Sequence, residues 1–159
     1  MSKQDLWVVN VSPEDFVDQR EKIRLRDPDL MGFYDSYNFG QLKLMGVKTY
    51  LSRDMESGFG IDHNGKMVNF FSLARERGNL LVKVAILKGA TNLSCLGEFL
   101  RELYTRAGFV VIRKEPWNDE YAPKDWNFDR WGKMNYYEME IPEKEIEELL
   151  KKYQKEFSD

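Results

Sequence analysis

The feature that most restricts the fold is a change of hydrophobic period between Met67 and Leu96. Met67-Val68-Asn69-Phe70-Phe71-Ser72-Leu73 is an apolar run of strand length, dense enough for a central strand. The charged segment from Arg75 to Asn79 interrupts it. Leu80, Leu81, Val84, Ala85 and Leu87 then recur at helical spacing, and Gly89 ends the helix. Asn92 to Leu96 returns to a short buried strand. Strand, helix and strand in that order predict a right-handed crossover whose two strands are parallel.

The flanking segments predict antiparallel neighbours. Val8, Val9 and Val11 form a short opening strand. Ser12 then serves as N-cap of a helix, with Pro13 at its first position and Asp15 completing a capping box. Phe16, Arg20 and Ile23 share one face of that helix, which ends before Asp27-Pro28. Asp29 to Tyr50 is aromatic without a period, which predicts an irregular stretch with at most one helical turn. Thr49, Tyr50 and Leu51, a polar turn from Arg53 to Ser57, and Phe59 and Ile61 lead to Asn64-Gly65, a two-residue hairpin turn. The result is a meander of three antiparallel strands.

Beyond the crossover, a helix from Glu98 to Arg106 ends at Gly108, and Val110 to Arg113 is a strand. A loop from Glu115 to Lys133, rich in Trp, Asp and Pro, leads to a closing strand from Tyr136 to Ile141. Pro142 opens a charged helix with Ile146, Leu149, Leu150, Tyr153 and Phe157 on one stripe. The expected class is therefore α/β (α+β): a mixed, mostly antiparallel twisted sheet with one parallel pair and helices on both faces. One domain spans 1–159, with 142–159 as a helical extension; 159 residues suit a single core.

Charge and cysteine content narrow the function classes. Lys plus Arg total 24 against 27 for Asp plus Glu, so no general field attracts nucleic acid, and acidic residues around the tryptophans disfavour a single-strand binding surface. Cys95 has no partner for an internal disulfide, and no Cys/His cluster suits zinc. No apolar run approaches the ~20 residues of a membrane span, and Met1 to Asp5 carries no signal-peptide core. The expectation is a cytoplasmic protein without a metal, nucleic-acid or membrane partner.

Two places invite chemistry. At Arg75-Glu76-Arg77-Gly78-Asn79-Leu80 a strand gives way to a helix whose first amides and dipole attract anions such as a pyrophosphate. The same residues also fit an ordinary turn with solvated charges. At Leu103-Tyr104-Thr105-Arg106-Ala107-Gly108-Phe109, Tyr104 shares a face with Leu100, which suits a core tyrosine. It also lies on the helix following the second parallel strand, beside the crevice where α/β sheets bind ligands.

Together these segments resemble the GNAT superfamily of acyl-CoA N-acyltransferases. Arg75, Gly78 and their spacing are similar to the family's phosphate loop, and Leu103-Tyr104 with Gly108-Phe109 to its later Leu-Tyr and Gly-Phe segment. Asn118-Asp119-Glu120-Tyr121-Ala122-Pro123 with Trp126-Asn127 resembles phage-encoded members. The element order matches from Val8 to Ile141.

The resemblance implies a parallel pair that splays to admit acetyl-CoA or another acyl-CoA as co-substrate. Backbone of Phe71 and Leu73 would pair with the pantetheine, while Arg75 and the amides of Arg77, Gly78, Asn79 and Leu80 would hold the pyrophosphate. Tyr104 would protonate the departing thiolate after direct attack by an amine of a small molecule or protein. Trp117, Asp119, Glu120 and Tyr121 would form the substrate wall; the alternative is a self-packed loop with the tryptophans as plugs. Leu80 departs from the family's Gly or Ala, and Gly97 from a common Asn. No general base stands out among Glu56, Asp62, His63 and Ser72. A catalytically inactive binding or inhibitory module is the second expectation, and the assembly expected is a monomer or homodimer.

Overall fold

The computed structural model describes residues 8–28, 37–72, 77–123 and 126–158. Its strands are β1 (Val8–Val11), β2 (Lys48–Ser52), β3 (Ser57–Ile61), β4 (Lys66–Ser72), β5 (Asn92–Leu96), β6 (Val110–Glu115) and β7 (Tyr136–Glu140). The helices are α1 (Pro13–Arg26), α2 (Phe39–Leu44), α3 (Arg77–Leu87), α4 (Glu98–Ala107), α5 (Phe128–Trp131) and α6 (Glu143–Phe157). The strands form one seven-stranded sheet in the order β1-β2-β3-β4-β5-β7-β6. Among the described residues β4 and β5 are the one parallel pair, and every other neighbour is antiparallel. Among the described residues, no helix is long and apolar enough to cross a membrane.

Alternation along the strands sends side chains to two cores. Tyr50, Phe59, Met67 and Phe70 pack with α3, α4 and α6 in the larger core. Leu51, Val68 and Phe71 pack with Phe16 and Ile23 of α1 and Leu42 of α2 in the smaller one. The α6 stripe works as its spacing predicts: Tyr153 and Phe157 are buried, and Ile146, Leu149 and Leu150 rest on the larger core. Ser12 caps α1 through a 3.1 Å hydrogen bond from the Asp15 amide.

Three local expectations need correction. Helix α3 starts at Arg77, ahead of the first apolar position at Leu80, so Arg77, Gly78 and Asn79 are helical. The β3–β4 connection is a longer loop, Asp62–Gly65. Asp62 Oδ1 accepts from the Asn64 and Lys66 amides, and only Gly65 takes a positive φ, of 79°. The segment after Arg113 continues as strand to Glu115, and the loop beyond carries a 3-10 turn (Asp119–Tyr121) and α5.

Candidate functional site

Among the described residues the parallel pair is joined at its base, where Lys66 faces Asn92 and Met67 faces Leu93, and no further register pair follows along β4 and β5. The cause lies in β4. Its register against β3 shifts between Gly58 and Gly60, which leaves an extra residue on β4 at Asn69, whose φ is 52°. Such a bulge bends and twists its strand. It also resets the alternation, so that Met67 and Phe70 share one core while Val68 and Phe71 share the other. Buried Arg20 of α1 donates from Nη1 to Asn69 Oδ1 at 2.8 Å, fixing the bulge from below.

Where the pair opens, a cavity of about 60 Å³ forms between β4 and β5. Val68, Asn69 and Phe70 line one side, Ser94 and Cys95 the other, and Tyr104 of α4 closes the end. Tyr104 is held edge-on between Phe70 and Phe109, with ring centroids 5.7 and 6.0 Å away. Burial pushes the Cys95 thiol up to about 12, so it stays protonated and is no nucleophile.

The phosphate-loop residues separate. Leu73 and Arg75 lie outside the described residues. Phe71 is wholly buried against Phe16 on the α1 side of β4. Arg77 is buried and its guanidinium is ion-paired with Asp54 in the β2–β3 turn. Burial acts to raise the Asp54 carboxyl, but hydrogen bonds from Ser52 and Arg77 outweigh it and hold the group below its ordinary range. Asn79 is exposed, and Leu80 packs on the larger core rather than lining the cavity.

Gly78 and Gly97 call for opposite explanations. A Cβ at Gly78 would make only an ordinary 3.6 Å contact with Leu103 among the described residues, and φ there is not positive. Glycine in a helix costs about 0.5–1 kcal/mol relative to alanine, and among the described residues no contact requires it. Gly97, by contrast, has φ 88° and would set a Cβ 2.6 Å from Met134 Sδ. Backbone conformation accounts for that glycine, whose φ an L side chain rarely adopts.

A second cavity, of about 240 Å³, lies beside the ends of β5 and β6 and the start of β7. Trp117 and Tyr121 line it, together with Leu96, Met134 and Tyr136. Asp119 and Glu120 do not. Asp119 accepts from Trp117 Nε1 at 2.8 Å and pairs with Lys133 at 3.3 Å; both interactions lower its pKa. Glu120 is exposed, and its amide is capped by Asn118 Oδ1. The loop is partly self-packed as well: Trp117 lies against Trp126 and Phe128, and Trp126 donates to the Gly132 carbonyl at 2.9 Å.

Between the cavities runs a polar contact that periodicity alone does not reveal. Tyr136, lining the larger cavity, places its hydroxyl 2.9 Å from Oγ of Ser94, which lines the smaller one. The same hydroxyl lies 3.4 Å from Glu138 Oε1. Other polar groups are engaged elsewhere: Glu56 with Arg26, Asp62 in its turn, His63 Nδ1 at 3.2 Å from the Met45 carbonyl oxygen, and Ser72 with Ser57.

No protein-family model, no curated protein and no solved structure matches this chain.

Proposed function

We propose that this chain is an acyl-CoA-dependent N-acyltransferase of the GNAT type, moving an acetyl group from acetyl-CoA to an amine of a small molecule or protein. One observation carries the reading: the parallel pair β4–β5 separates above Met67 and Leu93 into a cavity closed by Tyr104. A sheet that opens at the carboxyl ends of parallel strands offers unpaired backbone to an extended ligand. The thioester would lie at the Asn69–Phe70 bulge, its pantetheine along the free side of β4 near Phe71. Its pyrophosphate would meet the first turn of α3, where amides have no intrahelical partner.

Gly78 supports the same placement, because close approach of a ligand to the helix explains a glycine that no contact among the described residues requires. Leu80 packs on the larger core and does not line the cavity beside Tyr104. In this reading the amine attacks the thioester carbonyl carbon, the C–S bond breaks, and the Tyr104 hydroxyl protonates the thiolate. A cytoplasmic setting and phage origin accord with the sequence resemblance.

A second reading has its own support. Arg77 is committed to Asp54, and the cavity beside Tyr104 is small. These favour a protein of the same shape that binds a partner without catalysis. Isothermal titration with acetyl-CoA separates the two. Saturable binding is expected, with Tyr104→Phe slowing transfer at least tenfold and leaving cofactor affinity within about twofold. Absence of binding at high micromolar acetyl-CoA removes the enzymatic reading.

A further inference from the structure

Acyl transfer to an amine needs a group to take a proton from the attacking nitrogen, and Glu56, Asp62, His63 and Ser72 are engaged in other contacts. We propose that Ser94, Tyr136 and Glu138 form a hydroxyl relay that carries this proton from the cavity to the Glu138 carboxylate. This inference rests on the acyltransferase reading.

Strand register assembles the three groups. On β7, Tyr136 and Glu138 stand two residues apart and so share a face. Antiparallel pairing of β5 and β7 sets Ser94 directly opposite Glu138 and Leu96 opposite Tyr136. Residues 93, 95, 137 and 139 point the other way, into the larger core. Ser94, Tyr136 and Glu138 therefore occupy the face turned away from α3 and α4. Ser94 is the member that lines the cavity containing Tyr104.

The contacts form a continuous path. Ser94 Oγ and Tyr136 Oη are 2.9 Å apart, and Tyr136 Oη and Glu138 Oε1 are 3.4 Å apart. A hydroxyl both donates and accepts and rotates to suit. In the structure the Tyr136 hydroxyl donates to Ser94 Oγ; once both hydroxyls turn so that Ser94 donates to Tyr136 and Tyr136 to Glu138, Ser94 Oγ presents a lone pair to the cavity. The second contact is long, as catalytic hydrogen bonds often are before substrate tightens them. Burial keeps the Tyr136 phenol above its ordinary range, so the relay runs through a neutral hydroxyl.

Proton and electron accounting closes. The amine lone pair forms the C–N bond, and the carbonyl π electrons move to oxygen. The nitrogen proton passes to Ser94 Oγ as Ser94 gives its own to Tyr136, and Tyr136 gives its own to Glu138. Return of the oxygen electrons expels the thiolate, which Tyr104 protonates. Glu138 then loses the proton to solvent, through which Tyr104 is reprotonated.

Charged neighbours hold the carboxylate in place. Arg113 Nη1 on β6 lies 3.6 Å from Glu138 Oε2, which leaves Oε1 toward Tyr136, and Arg113 also pairs with Glu115. Lys66 of β4 and Glu140 of β7 line, together with Glu138, a cavity farther along the sheet. These are the charges that any pH profile of the relay reports.

The test measures CoA thiol release from acetyl-CoA by the full chain, with tryptamine or a lysine-containing peptide as acceptor. For Glu138→Gln we expect kcat to fall about a hundredfold with the KM for acetyl-CoA within twofold. The deficit should narrow as pH rises, because hydroxide then takes the proton from the adduct nitrogen directly. Ser94→Ala should show the same deficit, and Glu138→Asp should restore part of the rate. A merely structural role would lower thermal stability and raise KM without changing the pH profile, and that result overturns the relay. So does wild-type kcat in Glu138→Gln. No thiol release by the wild-type chain with either acceptor overturns the acyltransferase reading itself, and the relay with it.

Discussion

Replacing Arg20 by alanine should destabilise the protein by ~3 kcal/mol, because this side chain holds the β4 bulge. Its hydrogen bond to Asn69 Oδ1, at 2.8 Å and buried, is charge-assisted and worth roughly 1.5–3 kcal/mol. The contact with Glu21 adds less than ~1 kcal/mol, since that carboxylate is 45% exposed. Truncation also removes two buried methylenes at about 0.8 kcal/mol each. Against this, buried Arg20 Nε has no acceptor among the described residues, and its removal returns ~1 kcal/mol. Urea unfolding followed by tryptophan fluorescence measures the difference, and Tm should fall by ~6–12 °C. Arg20→Met keeps the stem and should lose only ~1–2 kcal/mol. Asn69 offers an independent check. Alanine and glycine both delete the hydrogen bond, but alanine retains the cost of φ 52°, so Asn69→Gly should be more stable than Asn69→Ala by about 1 kcal/mol. An Arg20→Ala protein within ~1 kcal/mol of wild type, or equal stability of the two Asn69 variants, would refute this account of the bulge.

Gly78→Ala should raise stability by roughly 0.5–1 kcal/mol through helix propensity while weakening acetyl-CoA at least tenfold; paired thermal melts and titrations read both, and unchanged affinity would detach Gly78 from the ligand. Asp54→Asn tests the Arg77 contact through pH. The folded Asp54 carboxyl titrates below its reference of 3.8, so its stabilisation is complete above that value and disappears as pH falls through the folded one. Wild type should exceed Asp54→Asn by at most ~1 kcal/mol at pH 7, since the group is 39% exposed. Melts taken down the acid limb should show the gap closing; a gap that persists below pH ~2 would assign it to packing instead.

Much of the fold was legible because apolar spacing reports burial directly. The change of period from Met67 to Leu96 placed the crossover, and the α6 stripe and Ser12 cap followed from local rules. What escaped was set by partners distant in sequence. Helix α3 begins at Arg77 although no apolar residue marks that position; the residue is buried through its ion pair with Asp54, which periodicity does not register. The Asn69 bulge was hidden because β4 is apolar on both faces, so a shift in alternation leaves no trace in the pattern. The Asp62–Gly65 loop depended on a side chain bonding its own backbone rather than on Asn64. Tyr104 was singled out from its motif and helix, and it lines the cavity. Ser94, Tyr136 and Glu138 carried no motif; only the β5–β7 register brings them together.

The short β4–β5 pairing has a mechanical consequence. Across it, among the described residues, one side of the sheet (β1 to β4) meets the other (β5, β7 and β6) through two register pairs. Backbone hydrogen bonding there is a fault line, and cohesion across it falls to side chains of the larger core, which draws on both halves. A ligand lying in the gap would act as mortar between two slabs. It would couple their openings, and the whole would be steadied by RT ln(1 + [L]/Kd), with no change in either slab.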